Sequence, residues 1–551
     1  MQWIYGFNTK NIRGDLLGGL TAAIVALPLA LAFGVSSGAG AIAGVYGAIC
    51  VGFFAALFGG TPSQVSGPTG PMTVVMAATF THYSGLDPEQ GPVLAFTVVL
   101  MAGAMQVLLG LFRLGKYITL VPFPVISGFM TGIGVIIIFL QLAPFIGHEG
   151  ASSVVGALAL LPQQVTTLNP WATALGLLTL LTVFFCPRQI TRFVPSALIA
   201  LLLSTLLAML WIPADKVPVL GDIPTGLPAL VWPQISMPLL SDMLIAAMML
   251  AMLGAVDSLL TSLVADNITK THHDSDRELI GQGIGNMAAG LLGGLPGAGA
   301  TMRTVVNVRA GGKTPISGAV HALVLLVIVL GAGPMATHIP HAVLAGILLK
   351  VGIDIIDWRF LGRLHRAPLF VITLMLLVLF LTVFVNLITA VFIGVFLANI
   401  VTLKRLADSQ VDALRVIADQ PEFLPDLTLD EQQLLRDAKG QILLFHFEGP
   451  VSFASAKGLS KKLAVTNPHE VVVMDFSRVP WIDVSTAMVI EDLIIDARRL
   501  NREVLLVGLS EAVLNVFERL RILNRITQGH LFDDRASALI KASELSRTQS
   551  I

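Results

Sequence analysis

Residues 16–86 contain no Asp, Glu, Lys or Arg, and residues 90–112, 117–148 and 367–403 are equally free of them. A water-exposed surface does not tolerate apolar runs of this length. At about 20 residues per crossing they read as transmembrane helices. Breaking them at Gly, Pro and Asn clusters predicts helices starting near Leu16, Ala41, Pro62, Pro92, Ile118, Trp171, Ala197, Asp242, Leu279, Gly297, Pro315, Ala336, Ala367 and Leu387, about fourteen crossings. The first 15 residues lack the pattern of a cleavable signal, so the first run reads as a first crossing. The chain is 55% hydrophobic and 13% charged, against roughly 25% charged in a soluble protein.

Threaded from a cytoplasmic N-terminus, these crossings put Arg113, Lys116, Arg188, Arg192, Lys270, Arg277 and nearly all later membrane-domain cations inside, with Lys216 alone outside. That is the positive-inside pattern of a multi-pass protein of the inner or plasma membrane with both termini cytoplasmic. A net charge of -1 leaves no field that would recruit nucleic acid. Cys50 and Cys186 lie in apolar runs and supply neither a disulfide framework nor a zinc site. The 11 histidines show no metal spacing, and there is no phosphate-binding Gly-rich Lys motif, so no enzyme is expected.

After Arg405 the composition changes. Residues 441–447, 471–476 and 503–508 read as buried strands, and residues 486–500 and 511–523 have helical spacing. Alternation of strands and helices implies a small α/β layer. The expected division is a cytoplasmic tail at 1–14, a transmembrane domain at 15–405, a linker at 406–440, the α/β domain at 441–545 and a frayed tail at 546–551.

An internal repeat carries the most functional information. Gly59, Gly60 and Pro62 recur as Gly293, Gly294 and Pro296 at an offset of 234 residues. An odd number of crossings within that offset makes the repeat inverted. In transporters built this way the Gly/Pro-interrupted segments are broken helices whose N-termini meet near the midplane and hold the substrate. Facing N-termini present free backbone N–H groups and positive dipole ends, which suits an anion. At the same offset Thr69 falls on Arg303, a cation set well inside the membrane, where a charge must line a cavity or be paired. The corresponding acid is Asp257, with Thr261 one turn on along the same helix face. Three roles stay open for Asp257: a sodium or proton coupling site, a partner for Arg303, and a structural carboxylate.

At these motifs the chain resembles the sulfate permease family of anion transporters. The likeness is carried by residues 18–23 (GGLTAA), 66–71 (SGPTGP), 257–260 (DSLL), 278–286 (ELIGQGIGN) and 303–310 (RTVVNVRA). The resemblance implies an α-helical polytopic fold of seven-plus-seven inverted repeats with core and gate domains, often dimeric and elevator-like. It also implies a C-terminal cytoplasmic STAS domain open to cytoplasmic regulators. Residues 30–34 and 68–75 are most similar to the sodium-dependent bicarbonate importers of the family. The implied substrate-binding residues are Ser66, Thr69, Ala300, Thr301 and Arg303, and the implied coupling-ion residues are Asp257, Thr261, Gly299 and Thr301. No cofactor is implied beyond Na+ or H+. A fixed guanidinium at this site, as in sulfate, chloride and dicarboxylate carriers of the family, sets the expectation of weaker sodium dependence than in the bicarbonate branch. Ser485 sits where STAS regulators carry a phosphoserine, and a helix cap is the other reading of that segment. The expected activity is secondary transport of sulfate, bicarbonate or chloride; the alternatives are a proton-coupled C4-dicarboxylate carrier and an uncoupled anion channel.

Overall fold

The computed structural model describes residues 4–118, 121–151, 153–191, 194–213, 216–221, 228–385, 387–413, 415–417, 427–452 and 469–549. Arg192 and part of the expected linker lie outside the described residues. The chain divides into two compact units, Met1–Val395 and Phe396–Ile551.

The first unit is helical: α1 (Ile12–Ser36), α2 (Ala41–Phe58), α3 (Gly70–Leu86), α4 (Gly91–Leu111), α5 (Phe123–Phe145), α6 (Val154–Thr166), α7 (Pro170–Phe185), α8 (Ser196–Trp211), α9 (Leu240–Thr269), α10 (Ser275–Leu291), α11 (Thr301–Arg309), α12 (Pro315–Ala336), α13 (His341–Ile355) and α14 (Leu369–Phe384). The following α15 (Leu387–Ala413) leads into the second unit. Among the described residues, 6 helices are long and apolar enough to cross a membrane, or 7 if α6 and α7, bent by 116°, form one broken span. Outward faces carry exposed apolar side chains, as Leu202, Leu206, Met209 and Leu210 do on α8; this is the surface a lipid environment favours. Helices approach closely through small residues. A Cβ on Gly103 of α4 would lie 2.5 Å from the Gly283 carbonyl of α10, and one on Gly283 equally close to the Gly103 carbonyl.

Several expected boundaries are corrected. The helix expected from Pro62 starts at Gly70, and the one expected from Gly297 starts at Thr301. Pro68 disfavours helical geometry in Gly67 before it, and the chain runs extended there as β1 (Ser66–Gly67), as it does at the second break as β2 (Ala298–Gly299). α6 was not expected; Pro162 and its polar end hide it in the apolar pattern. The 234-residue offset does carry α2 onto α10. It fails beyond, because Thr69 caps α3 while Ala300 caps α11. Arg303 therefore has its helical counterpart in Met72, not Thr69.

In the second unit a five-stranded sheet has the order β3-β4-β5-β6-β7, from β3 (Arg415–Ile417), β4 (Ile442–Glu448), β5 (Val471–Arg478), β6 (Glu503–Val507) and β7 (Leu531–Phe532). Only β3 is antiparallel to its neighbour. Phe447 and Phe476 pack in one core layer with Ile490 and Ile494 of α17 (Val484–Arg499) and Phe517 of α18 (Glu511–Arg519). The expected linker is corrected, since it supplies β3 and α16 (Leu429–Asp437), the latter closed by a Thr428–Glu431 capping box. The expected frayed tail is helical to Gln549 within α19 (Arg535–Gln549), where Ser546 is buried and donates to the Ser543 carbonyl.

Candidate anion site

Strands β1 and β2 pair antiparallel, Ser66 with Gly299 and Gly67 with Ala298. This crossing sets the two broken helices against each other and shows that the two copies run in opposite directions here. Neither Thr69, the N-cap of α3, nor Ala300, the N-cap of α11, makes a side-chain cap. The first-turn N–H groups, apart from Pro71 of α3, which has none, therefore keep their positive ends available.

Arg303, in the first turn of α11, is 3% exposed, and its Nη2 donates to the Pro68 carbonyl. Gly67 permits that approach: at φ 150° it carries no Cβ, which would sit 2.7 Å from Arg303 Nη1. Asp257, midway along α9, faces the Thr69 hydroxyl and the Arg303 guanidinium. Asp257 Oδ2 and Thr69 Oγ1 are both buried and lie close enough to interact, yet neither makes a hydrogen bond of full geometry among the described residues. An unpaired buried acceptor costs about 1–3 kcal/mol, more if charged, so these two atoms are open to a further partner.

Beside them is a cluster of oxygens. Thr261 Oγ1 lies 3.0 Å from the Gly299 carbonyl and 2.7 Å from Thr301 Oγ1. Ser258 Oγ accepts the Gly299 N–H at 3.0 Å and so orients that carbonyl's strand. Thr261, Gly299, Ala300, Thr301, Arg303, Thr69 and Asp257 are thus brought to the crossing. Ser66 is not, by its side chain: its hydroxyl turns to α10, where Gln282 Nε2 donates to it at 2.6 Å. Ser485 lies exposed on the first turn of α17. The expected Ser or Thr cap is corrected, because the cap is Asp483, whose Oδ1 accepts the Thr486 N–H at 2.8 Å.

Sequence reasoning missed the polar scaffold behind the crossing. Glu278, Gln282 and Asn286 recur at helical spacing along α10, one polar face on a helix that is otherwise apolar beyond its first turn, and that spacing was the readable signal. Asn286 holds β2 in place by accepting the Gly297 N–H and donating to the Gly297 carbonyl, at 2.8 and 2.9 Å.

The sequence signature of the sulfate permease family matches residues 12–379, and that of the STAS domain residues 434–538. The bicarbonate transporters BicA of Picosynechococcus sp. and Synechocystis sp. are 45% and 46% identical to the chain, each alignment covering 98% of it and 96% of the relative. The solved transmembrane domain of a cyanobacterial BicA is similar at a TM-score of 0.67 and 51% identity, covering 71% of this chain and 100% of that one. The murine Solute Carrier 26 family member A9, solved in an inward-facing state, shares the fold at a TM-score of 0.81 and 19% identity over 98% of this chain and 92% of its own. The chain belongs to the sulfate permease family, as a multi-pass membrane protein with a C-terminal STAS domain.

Proposed function

We propose that the chain is a secondary transporter of a small inorganic anion, bicarbonate before sulfate or chloride, working by an elevator-like movement of the broken-helix unit. The carrying observation is the crossing itself: a buried guanidinium and two uncapped helix N-termini beside a buried hydroxyl and carboxylate oxygen that lack partners. Free N–H groups and Arg303 offset the desolvation of an anion, and Thr69, Ala300 and Thr301 line its seat. The preference for bicarbonate is supported by two named bicarbonate transporters aligned along almost the whole chain. The protein transports and does not catalyse a covalent reaction.

The coupling cation is sodium, held by the Asp257 carboxylate, the Thr261 and Thr301 hydroxyls and the Gly299 carbonyl, a set of hard oxygen donors. A second reading, favoured by the way Asp257 faces Arg303, has Asp257 carry a proton or pair with the arginine. The assembly is a homodimer with both termini in the cytoplasm, and cytoplasmic regulators act through the STAS domain, Ser485 included. Uptake of labelled bicarbonate, sulfate and succinate into proteoliposomes, each with and without sodium or a pH gradient, tests the reading. Saturable, sodium-stimulated bicarbonate uptake is expected. Uptake of succinate driven by protons, or a large uncoupled current, would replace it with the alternative carrier or channel.

A further inference from the structure

Glu278 is 1% exposed, inside the membrane unit, and no Lys or Arg reaches ion-pair distance of it among the described residues. Three uncharged donors hold it: the Gly60 N–H at 3.0 Å on Oε2, and Gln64 Nε2 and Gln282 Nε2, both at 2.7 Å, on Oε1. Gly60 and Gln64 flank the turn that leads into β1, where the Gln64 N–H donates to the Thr61 carbonyl, and Gln282 Nε2 also donates to Ser66 within β1. An ionised carboxylate accepts only, so it obliges the Gln282 amide to turn its NH2 inward. The same NH2 then makes Ser66 Oγ an acceptor and leaves the Ser66 hydrogen for another partner. Ser66 in turn pairs with Gly299, whose carbonyl meets Thr261.

We infer that Glu278, acting through Gln282 and Gln64, is a positioning residue that sets the register and hydroxyl orientation of β1 and so the distance between the two helix N-termini at the anion site. This rests on the anion-transport reading above. A neutral amide at 278 no longer dictates which end Gln282 presents, so β1 loses a defined hydroxyl direction while the helices around it remain. The test reconstitutes the full chain, unmutated and as Glu278→Gln, Gln282→Met, Ser66→Ala and the Glu278→Gln/Ser66→Ala pair, and measures KM and Vmax per monodisperse protein for labelled bicarbonate.

Glu278→Gln is expected to raise KM about tenfold, the scale of one lost hydrogen bond to a charged group. Gln282→Met should raise it less, and Ser66→Ala should add little to the Glu278→Gln change because both act on one contact. An unchanged KM and Vmax per monodisperse protein, with only the yield of folded protein lowered, would reduce Glu278 to a structural group and overturn the inference, as would full additivity in the pair. Should Glu278→Gln fail to fold, Gln282→Met, which leaves the carboxylate its Gly60 and Gln64 donors, decides the same question through KM. An absence of bicarbonate, sulfate and succinate uptake by the unmutated protein would remove the functional reading itself, and this inference with it.

Discussion

Arg535 in the C-terminal unit and Arg303 in the membrane unit are both withdrawn from solvent beside carboxylates, yet their surroundings differ. Arg535 donates to both oxygens of Glu431, at 3.0 and 3.2 Å, and to Asp475 at 3.2 Å. Asp475 also accepts from His446 at 2.8 Å. Burial pushes the Asp475 carboxyl up, but hydrogen bonds from His446 and Ser477 outweigh it and hold the group at about 2. Every acid in that cluster has its cation. Arg303, by contrast, donates to a backbone carbonyl, and the acid it faces keeps an oxygen without a partner. Carboxylates whose oxygens are all satisfied hold a fold together, whereas a buried carboxylate oxygen left without a partner is the feature on which the proposed anion site rests.

The comparison can be broken most sharply at Arg303. Arg303→Ala should weaken anion uptake by a factor of about 30 or more, the effect of removing one side of a desolvated charge contact worth roughly 2–5 kcal/mol, with little change in the melting temperature. Unaltered uptake kinetics in monodisperse mutant protein would show that the gap at Asp257 is not a ligand site. Asp257→Asn should stop transport or free it from its coupling cation, because an amide supplies neither charge nor titration, while Asp257→Glu retains part of the activity. Uptake measured against external sodium and pH checks this, and full activity with unchanged cation dependence would make the carboxylate structural.

In the Arg535 cluster the same kind of change should act on stability alone. Arg535→Ala leaves Glu431 and Asp475 buried without their cation, and should cost the C-terminal unit about 3 kcal/mol with no change in which anion is carried. Urea titration of the intact protein, followed by proteolytic nicking of that unit, reads the loss; a shift in anion preference would contradict the contrast. The low Asp475 value implies about 2 kcal/mol of stability from that group at neutral pH. Because its folded value lies below the ordinary 3.8, this contribution is complete above that pH and is lost as pH falls from there through about 2. In the same urea assay the midpoint should drop across that window, and Asp475→Asn should flatten the drop. The smallest effect on specificity is expected from truncation after Arg405. Every group assigned to the anion lies before Val305, so competition among labelled anions should be unchanged even where rate or assembly is not.

Much of this contrast was legible in the sequence, for identifiable reasons. Charge-free runs revealed the membrane helices because lipid demands them, and Gly59-Gly60-Pro62 recurring at Gly293-Gly294-Pro296 located both breaks. The length of extended chain after each break was not legible. Nothing in an apolar pattern says that three more residues precede α3 than α11, and the expected Thr69–Arg303 equivalence failed on that point. The resemblance implies Ser66 beside Thr69 at the substrate, whereas the strand turns its hydroxyl toward Gln282. Arg535, Glu431 and Asp475 are far apart along the chain, and pairing of that kind follows from the parallel sheet and the packing of α19, which periodicity does not encode.

The central claim is that a small anion binds at the crossing of β1 and β2 against Arg303. Bicarbonate titrated into the purified full-length protein, with melting temperature as the readout, tests it without reference to transport rate. A concentration-dependent rise is expected, equivalent to about 2.7 kcal/mol at a hundred times Kd, that disappears in Arg303→Ala. An equal rise in Arg303→Ala would place the anion elsewhere in the molecule and contradict the account.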